Sequence, residues 1–390
     1  MRVLLLLLAF MPLIAFAAKD AETIRFATYN GSLFDDDGNL VERLRAGDEH
    51  ARQVAAVVQH VRPDVLLLNE FDYDDAHEAA KRFQRDYLGK PQHGQRAIEF
   101  RYHYLAPVNT GVPSGLDIDR NGTTNGPEDA WGFGRHPGQY GMLVLSRYPI
   151  DAKRARTFRL LPWHRMPGAI APRNPDGTPF YDEATWRQLR LSSKSHWDLP
   201  IRTPLGVVHF LVHHPTPPVF DGPDDHNGTR NHDEIRLWAD YVSGDAKRSA
   251  WIVDDKGHAG GIERGARFVI AGDHNADPND GETVDHAMRQ LLDHPAIDAS
   301  VVPRSDGAVA AAKRDGGMNE RHAGDPANDT GQFGPRIGNL RIDYVLPSRG
   351  LEVRDAQVFW PLPGTPESAY SESSDHHLVW IDIAVPAKRK

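Results

Sequence analysis

Seven short apolar runs, distributed from one end of the chain to the other, set the kind of fold this sequence can adopt. They are Ile24 to Tyr29, Val65 to Leu68, Met142 to Ser146, Val207 to Val212, Phe268 to Ala271, Ile342 to Leu346 and Leu378 to Ile383. Most are apolar at nearly every position rather than at alternate ones, as expected of strands covered on both faces. Amphipathic helical stretches lie between some of them. Arg52 to His60 places Val54, Val57 and Val58 on one face, and Asn231 with Glu234 has the spacing of a capping box opening a helix that carries Ile235, Leu237, Trp238 and Tyr241. Strands and helices interleaved over the whole length predict an α/β layered fold. The segments 107–140, 162–185 and 303–340 are rich in Gly, Pro, Asn and Asp and read as long surface loops, a kind of segment that in compact domains is commonly functional.

The N-terminus, with Arg2, an apolar run from Val3 to Ile14 and the small-x-small Ala15-Phe16-Ala17, has the form of a cleavable signal peptide over residues 1–17. The run is too short to span a bilayer, and no other stretch approaches the roughly 18–20 apolar residues a transmembrane helix needs, so the mature chain is expected to be secreted or periplasmic with no transmembrane segment. Loss of residues 1–17 removes one basic residue, Arg2, and leaves 44 basic against 54 acidic residues, a net charge of −10. Such an acidic chain is poorly suited to broad tracking of nucleic-acid phosphates, although bound divalent cations can supply positive charge locally. The absence of cysteine excludes disulfides and thiolate metal sites. Because the motifs run from end to end, residues 18–390 are expected to form one domain.

Several apolar runs end in a residue able to bind metal or phosphate. The first ends in Asn30, the second in Asn69-Glu70, and the fourth in His213-His214. The fifth leads through Gly272 to Asp273, with Asn275 two residues on; Asp343 lies within Arg341-Ile-Asp-Tyr-Val, and Ser374-Asp375-His376-His377 precedes the last run. Each alone reads as an ordinary turn residue. Oxygen ligands with few competing side chains suit Mg²⁺, or Mn²⁺ in its place. A histidine paired with a carboxylate has its tautomer fixed and its charged form favoured.

Taken in order, TYN, NE, GMLVLSRYPI, HHP, GDHN, RIDY and SDHH resemble the endonuclease/exonuclease/phosphatase family, and the resemblance extends from Ile24 to Ile383. It implies a four-layer α/β sandwich of two mixed β-sheets flanked by helices, the deoxyribonuclease-like fold, with the site at one end. It implies Glu70 as the principal Mg²⁺ carboxylate with Asn30 beside it, and Asp375 as a further carboxylate able to take a second metal. His376 becomes the general base or electrostatic partner of the attacking water, oriented by Asp343, while Asp273 aligns that water. Asn275 donates to a phosphate oxygen and His214 contacts the phosphoryl oxygens. His213 and His377 are expected to point away from their neighbours, as adjacent residues of an extended chain do. His274 stands where an apolar residue is more usual.

A further pattern, Asp117-Ile-Asp119-Arg-Asn121-Gly122 followed by Glu128, has the alternating oxygen ligands of a calcium loop, with the Thr123 carbonyl as a fifth position. Pro127 and the lack of apolar helical flanks argue against an EF-hand, leaving a structural Ca²⁺ site or a solvated turn. Lys194 and His196 are candidates for a pocket wall. The leading functional expectation is an exported Mg²⁺-dependent phosphodiesterase or nuclease. The alternatives are a phosphomonoesterase or a hydrolase of phospholipid or inositol phosphate, and a calcium-stabilised binding protein without activity. The expected partner is a phosphoester substrate, nucleic acid or small phosphodiester, and no partner protein is implied.

Overall fold

A computed structural model describes residues 22–386. The stretch 1–17, expected from sequence to be a signal peptide, lies outside them. Six strands form one mixed sheet and five form another. In chain order the strands are β1 (Thr23–Leu33), β2 (Val65–Phe71), β3 (Tyr102–Tyr104), β4 (Met142–Ser146), β5 (Arg156–Thr157), β6 (His196–Thr203), β7 (Gly206–His213), β8 (Phe268–Asp273), β9 (Gly331–Gln332), β10 (Asn339–Leu340), β11 (Asp343–Pro347), β12 (Val353–Val358) and β13 (Val379–Ala384). The first sheet has the order β12-β13-β1-β2-β4-β3 and the second β11-β8-β7-β6-β5, with β9 and β10 a separate short ribbon.

Each large sheet is antiparallel except for one parallel pair, β1 with β2 and β7 with β8. Parallel neighbours need a crossover. The helix Glu49–Val61 lies in the first connection and His226–Tyr241 in the second. The first starts where the Asp48 side chain accepts the Ala51 N–H at 2.7 Å and buries Val54, Val57 and Val58 against Leu66, Leu68 and Tyr29 on the outer face of the first sheet. The second buries Ile235, Leu237 and Trp238 with Leu211 and Ile270 on the outer face of the other sheet. Between the sheets lie Ile24, Phe26, Val65 and Leu67 from one side and Leu199, Phe210, Val212 and Val269 from the other. The protein is therefore a four-layer α/β sandwich of two mixed sheets flanked by helices.

Two expectations from sequence are corrected. The helix carrying Trp238 begins at His226, so Asn231 and Glu234 are interior and fully buried rather than capping residues. They bind neighbouring backbone instead: Asn231 Nδ2 donates to the carbonyls of Thr216 at 2.8 Å and His274 at 2.9 Å, while the Glu234 carboxylate accepts the N–H of Ser193 and of Thr216, each at 2.6 Å. The segment 303–340 is not a bare loop: it holds the helix Asp306–Asp315, capped by Ser305, and the β9–β10 ribbon.

Candidate active site

The parallel pairs bring the C-terminal ends of β1, β2, β7 and β8 to their sheets' edges, and the antiparallel partners bring the starts of β4 and β11 to the same edges. Asn30 lies opposite Asn69, Asn69 opposite Met142, and Asp343 opposite Asp273. Alternation along each strand then selects the side chains that face the space between the sheets. Phe26 leads to Asn30, Val212 to His214, Ala271 to Asp273, and Val345 back to Asp343, all on the inner face. The outward set, Leu211 and Ile270, leads to His213 and His274, which meet at a ring separation of 4.3 Å in the outer core beside Trp238.

Glu70 breaks the alternation. It follows inward Asn69 and would point outward, but its backbone is left-handed, φ +57°, and its side chain lines the inner cavity. A non-glycine residue at positive φ costs of order 1–3 kcal/mol and persists only where its surroundings hold it.

Asp273 is the centre of the cluster. Its Oδ2 lies 3.1 Å from Asn30 Nδ2, 3.4 Å from His214 Nε2 and 3.6 Å from His376 Nε2. Its Oδ1 accepts the Asn275 N–H at 2.9 Å. His376 Nδ1 donates to Asp343 Oδ2 at 2.9 Å, and that oxygen also accepts Thr330 Oγ1–H at 2.8 Å. Asp375 is exposed, its Oδ1 4.0 Å from His376 Nε2. The Ser374 hydroxyl donates to the Asn30 carbonyl at 2.8 Å, fixing the SDHH turn to the end of β1. Lys194 and Asn275 both donate to the Pro215 carbonyl, at 3.4 and 3.1 Å.

Most of these groups are buried close together, and their proton affinities reflect it. Burial pushes the Asp273 carboxyl up to about 7, the neighbouring Asp343 charge adding to the effect and His376 opposing it. Burial likewise raises Glu70, while Asn30 beside it works the other way. His376 loses solvation, but the carboxylates of Asp343 and Asp273 outweigh that loss and hold its imidazole charged well above the ordinary range. Burial and then the Lys194 charge keep His214 neutral.

Metal-binding capacity is present. Asp273, Asp343 and His376 offer ligand atoms within 4.8 Å of one another, and Glu70 and Asp375 line the same cavity. Asp343 Oδ1, His214 Nδ1 and both amide atoms of Asn69 are buried without a hydrogen-bond partner among the described residues. A donor set of carboxylate and amide oxygens suits a hard divalent cation.

The loop read as a calcium site folds differently from its pattern. Asp129, not Glu128, closes a cluster with Asp117 and Asp119; Glu128 is exposed. Asp129 accepts the N–H groups of Ile118 and Gly126, Asp117 that of Gly122, and Asp119 both the N–H and the amide of Asn121, whose own oxygen is taken by Thr123. The loop's own donors thus engage its carboxylates. Ile118, Asp119 and Glu128 form part of the wall of the cavity over the Asp273 cluster.

His196 belongs to a chain of neutral groups under the second sheet. Its Nδ1 is 2.7 Å from the Ser192 hydroxyl, and its Nε2 is 2.8 Å from the Glu234 carbonyl and 3.0 Å from His213 Nδ1. His377 stacks on Trp360 at 3.7 Å, away from His376. Sequence reasoning missed Thr330 and Tyr140; neither belongs to a motif, and both are brought to the site only by tertiary packing.

The sequence profile of the Endonuclease/Exonuclease/phosphatase family matches residues 27–376, a span that runs from β1 to His376. The chain belongs to that family. Its members hydrolyse phosphoesters. No curated protein matches the sequence. Among solved structures, an endonuclease/exonuclease/phosphatase from Beutenbergia cavernae is similar at 18% identity over 93% of this chain and 71% of its own, with a TM-score of 0.50, a likeness of fold. A family protein from Bacteroides thetaiotaomicron shows 12% identity over 95% and 100% of the two chains, TM-score 0.47. Sphingomyelinase C from Streptomyces griseocarneus shows 16% identity over 93% and 99%, TM-score 0.47.

Proposed function

We propose that this chain is an exported phosphodiesterase that uses Mg²⁺, or Mn²⁺ in its place, to direct a water molecule at phosphorus. The observation that carries the reading is the convergence on Asp273 Oδ2 of Asn30, His214 and His376, all within 3.6 Å, in a cavity also lined by Glu70 and Lys194. Glu70 would hold the cation with Asn30 beside it, and Asp375 on the solvent side would offer a further carboxylate. When bound, the cation neutralises charge developing on the non-bridging and leaving oxygens.

In-line hydrolysis needs an oriented water, a proton acceptor for it, and charge on the phosphoryl oxygens offset in place. Asp273 accepts the water proton as the water oxygen bonds to phosphorus and the ester P–O bond breaks. His376, held cationic by Asp343, faces the phosphoryl oxygens with His214 and Asn275. Lys194 adds positive charge from the floor. Thr330 and Asp343 fix the His376 ring. Residues 18–390 act as one domain, since the site draws on both sheets.

No helix among the described residues is long and apolar enough to cross a membrane. Export rests on the sequence of residues 1–17 and is tested by sequencing the N-terminus of the mature protein. The enzymatic reading is tested with purified protein and Mg²⁺ on bis(4-nitrophenyl) phosphate, 4-nitrophenyl phosphate and plasmid DNA. Turnover of the diester well above the monoester is expected. Faster turnover of the monoester would sink the phosphodiesterase reading and favour a phosphatase.

A further inference from the structure

The cavity over the catalytic cluster is far larger than a phosphate requires, about 1020 Å³, at the upper end of the roughly 300–1,000 Å³ of small-molecule sites. Three separate segments wall it with apolar side chains: Phe133 and Tyr140 from 107–140, Phe220 from the loop after β7, and Phe333 and Ile337 from 303–340. We propose that this collar binds an aromatic substituent on the retained side of the phosphorus, so that the enzyme selects small phosphodiesters whose non-leaving ester group is aryl, with Phe133, Tyr140 and Phe220 as specificity-determining residues. The proposal rests on the phosphodiesterase reading above and names its substrate class.

Exposure is the first argument. Phe220 is 91% exposed, Phe133 50% and Ile337 46%, and all three ring this one cavity. Large apolar side chains left in water around a concave site mark a surface that is covered when the site is filled.

Backbone strain is the second argument. Tyr140 has φ +55° and Phe220 φ +67°, and a bulky residue in that region is an outlier that needs a cause. Both are held there by built structure. The Tyr140 N–H donates to Asp72 Oδ1 at 3.1 Å, and its ring packs on Phe34 at 4.6 Å and stacks with Phe133 at 6.4 Å and 24°. Around Phe220, Asn227 donates its N–H to Asp221 at 2.7 Å and its side-chain amide to the Val219 carbonyl at 2.9 Å. Strained backbone clamped so as to present an aromatic face to an open cavity fits recognition rather than core packing.

The position relative to the chemistry is the third. Phe333 meets the His376 ring edge-on at 5.6 Å, and Tyr140 and Glu70 line the same wall. A planar group on a phosphorus bound beside His376 would have the Phe333 ring next to it, and aromatic groups pair by offset stacking and edge contact. The charged part of the wall argues against a polyanion. Arg321 and Arg336 share it with Asp119, Asp280 and Glu282, so no continuous positive track follows the cavity.

The test compares phenyl 4-nitrophenyl phosphate with methyl 4-nitrophenyl phosphate, which share a leaving group and differ only in the retained substituent. The native enzyme with Mg²⁺ is expected to favour the phenyl diester by about 10-fold or more in kcat/KM, the scale of burying a ring-sized apolar group. In Phe133→Ala and Phe220→Ala, each checked for an unchanged melting curve, that ratio falls toward one. A parallel measurement by calorimetry uses diphenyl and dimethyl phosphate as non-chromogenic ligands. Tighter binding of diphenyl phosphate, weakened by Phe220→Ala, supports the collar even if the phosphodiesterase reading fails for want of turnover. Equal kcat/KM for the two diesters, a ratio unchanged in both variants, or equal binding of the two ligands overturns it. So does faster cleavage of phosphatidylcholine vesicles than of the phenyl diester, since the collar then serves a lipid surface.

Discussion

Nδ1 of His376 lies 2.9 Å from Oδ2 of Asp343, a buried hydrogen bond between residues 33 positions apart in the chain. It fixes the ring so that Nε2 faces Asp273, and Thr330 holds the same Asp343 oxygen from the other side at 2.8 Å. Replacing His376 with Ala is expected to lower turnover of a diester by at least about 10²-fold, the scale of a lost acid–base or charge-stabilising group, with the fold retained by circular dichroism. Thr330 Oγ1 also accepts the N–H groups of Ile342 and Asp343, each at 3.0 Å, so Thr330→Val is expected to lower the melting temperature as well as kcat, the latter by a smaller factor of about 10 while KM stays within two-fold. Activity in His376→Ala within a few-fold of native would remove His376 from the mechanism.

The metal has its own prediction. Glu70 is the carboxylate presented by a strained left-handed turn, and Glu70→Gln keeps its shape while removing its charge. The Mg²⁺ concentration giving half-maximal rate is expected to rise by about 10-fold or more, with the rate recovering at high Mg²⁺. An unchanged Mg²⁺ titration would show that the cation is held elsewhere.

Acid sensitivity follows from the buried histidines beneath the second sheet. Burial lowers His196 to about 4, and burial followed by the charge of neighbouring histidines sets His213 well below its ordinary value. An unfolded histidine titrates near 6.5, so between about pH 6.5 and 4 the unfolded chain binds protons that the native one refuses. These histidines' share of the stability is therefore full above pH 6.5 and is lost as the pH drops through that window, while the raised Asp273 carboxyl works in the opposite sense. Melting temperatures of the native protein and His196→Asn compared across pH 4–7 isolate that share, and the variant should lose less on acidification. Parallel profiles for the two would contradict the neutral assignment.

Glu234 is expected to be structural. Its carboxylate accepts the backbone N–H groups of Ser193 and Thr216, which flank Lys194 and Pro215. Truncation to Ala leaves both N–H groups buried and unpaired, at about 1–3 kcal/mol each. Chemical denaturation should report a loss on that scale, with KM rising as the cavity floor loosens. A loss under about 0.5 kcal/mol would mean that water replaces the carboxylate.

The order of the motifs made Asn30, His214, Asp273 and Asp343 legible, and strand alternation, which is local, made legible that His213 turns away from His214; the turn of His274 into the outer core was not legible, because it depends on packing against His213 and Tyr344. The orientation of Glu70 was not legible from parity, since a left-handed residue reverses it. Thr330 stayed hidden because its partner is fixed only when the β9–β10 ribbon packs onto β11. Asn231 and Glu234 matched a capping box by spacing, but tertiary demand for acceptors at Ser193, Thr216 and His274 outweighed that local signal. In the acidic loop, one residue of register separated Glu128 from Asp129, and only the short 3₁₀ turn Pro127–Asp129 decides which carboxylate turns inward.

The central claim is that Asp273, surrounded by Asn30, His214 and His376, takes the proton of a water that attacks a phosphodiester when a divalent cation is bound. The most direct measurement is the rate of 4-nitrophenolate release from bis(4-nitrophenyl) phosphate by native protein and Asp273→Asn, each in Mg²⁺ and in excess chelator. The account predicts release by the native protein in Mg²⁺ alone, abolished by chelator and restored by added Mg²⁺. It predicts a rate at least about 10²-fold lower in Asp273→Asn at every Mg²⁺ concentration. Full activity in chelator, or an Asp273→Asn enzyme as fast as the native one, would contradict it.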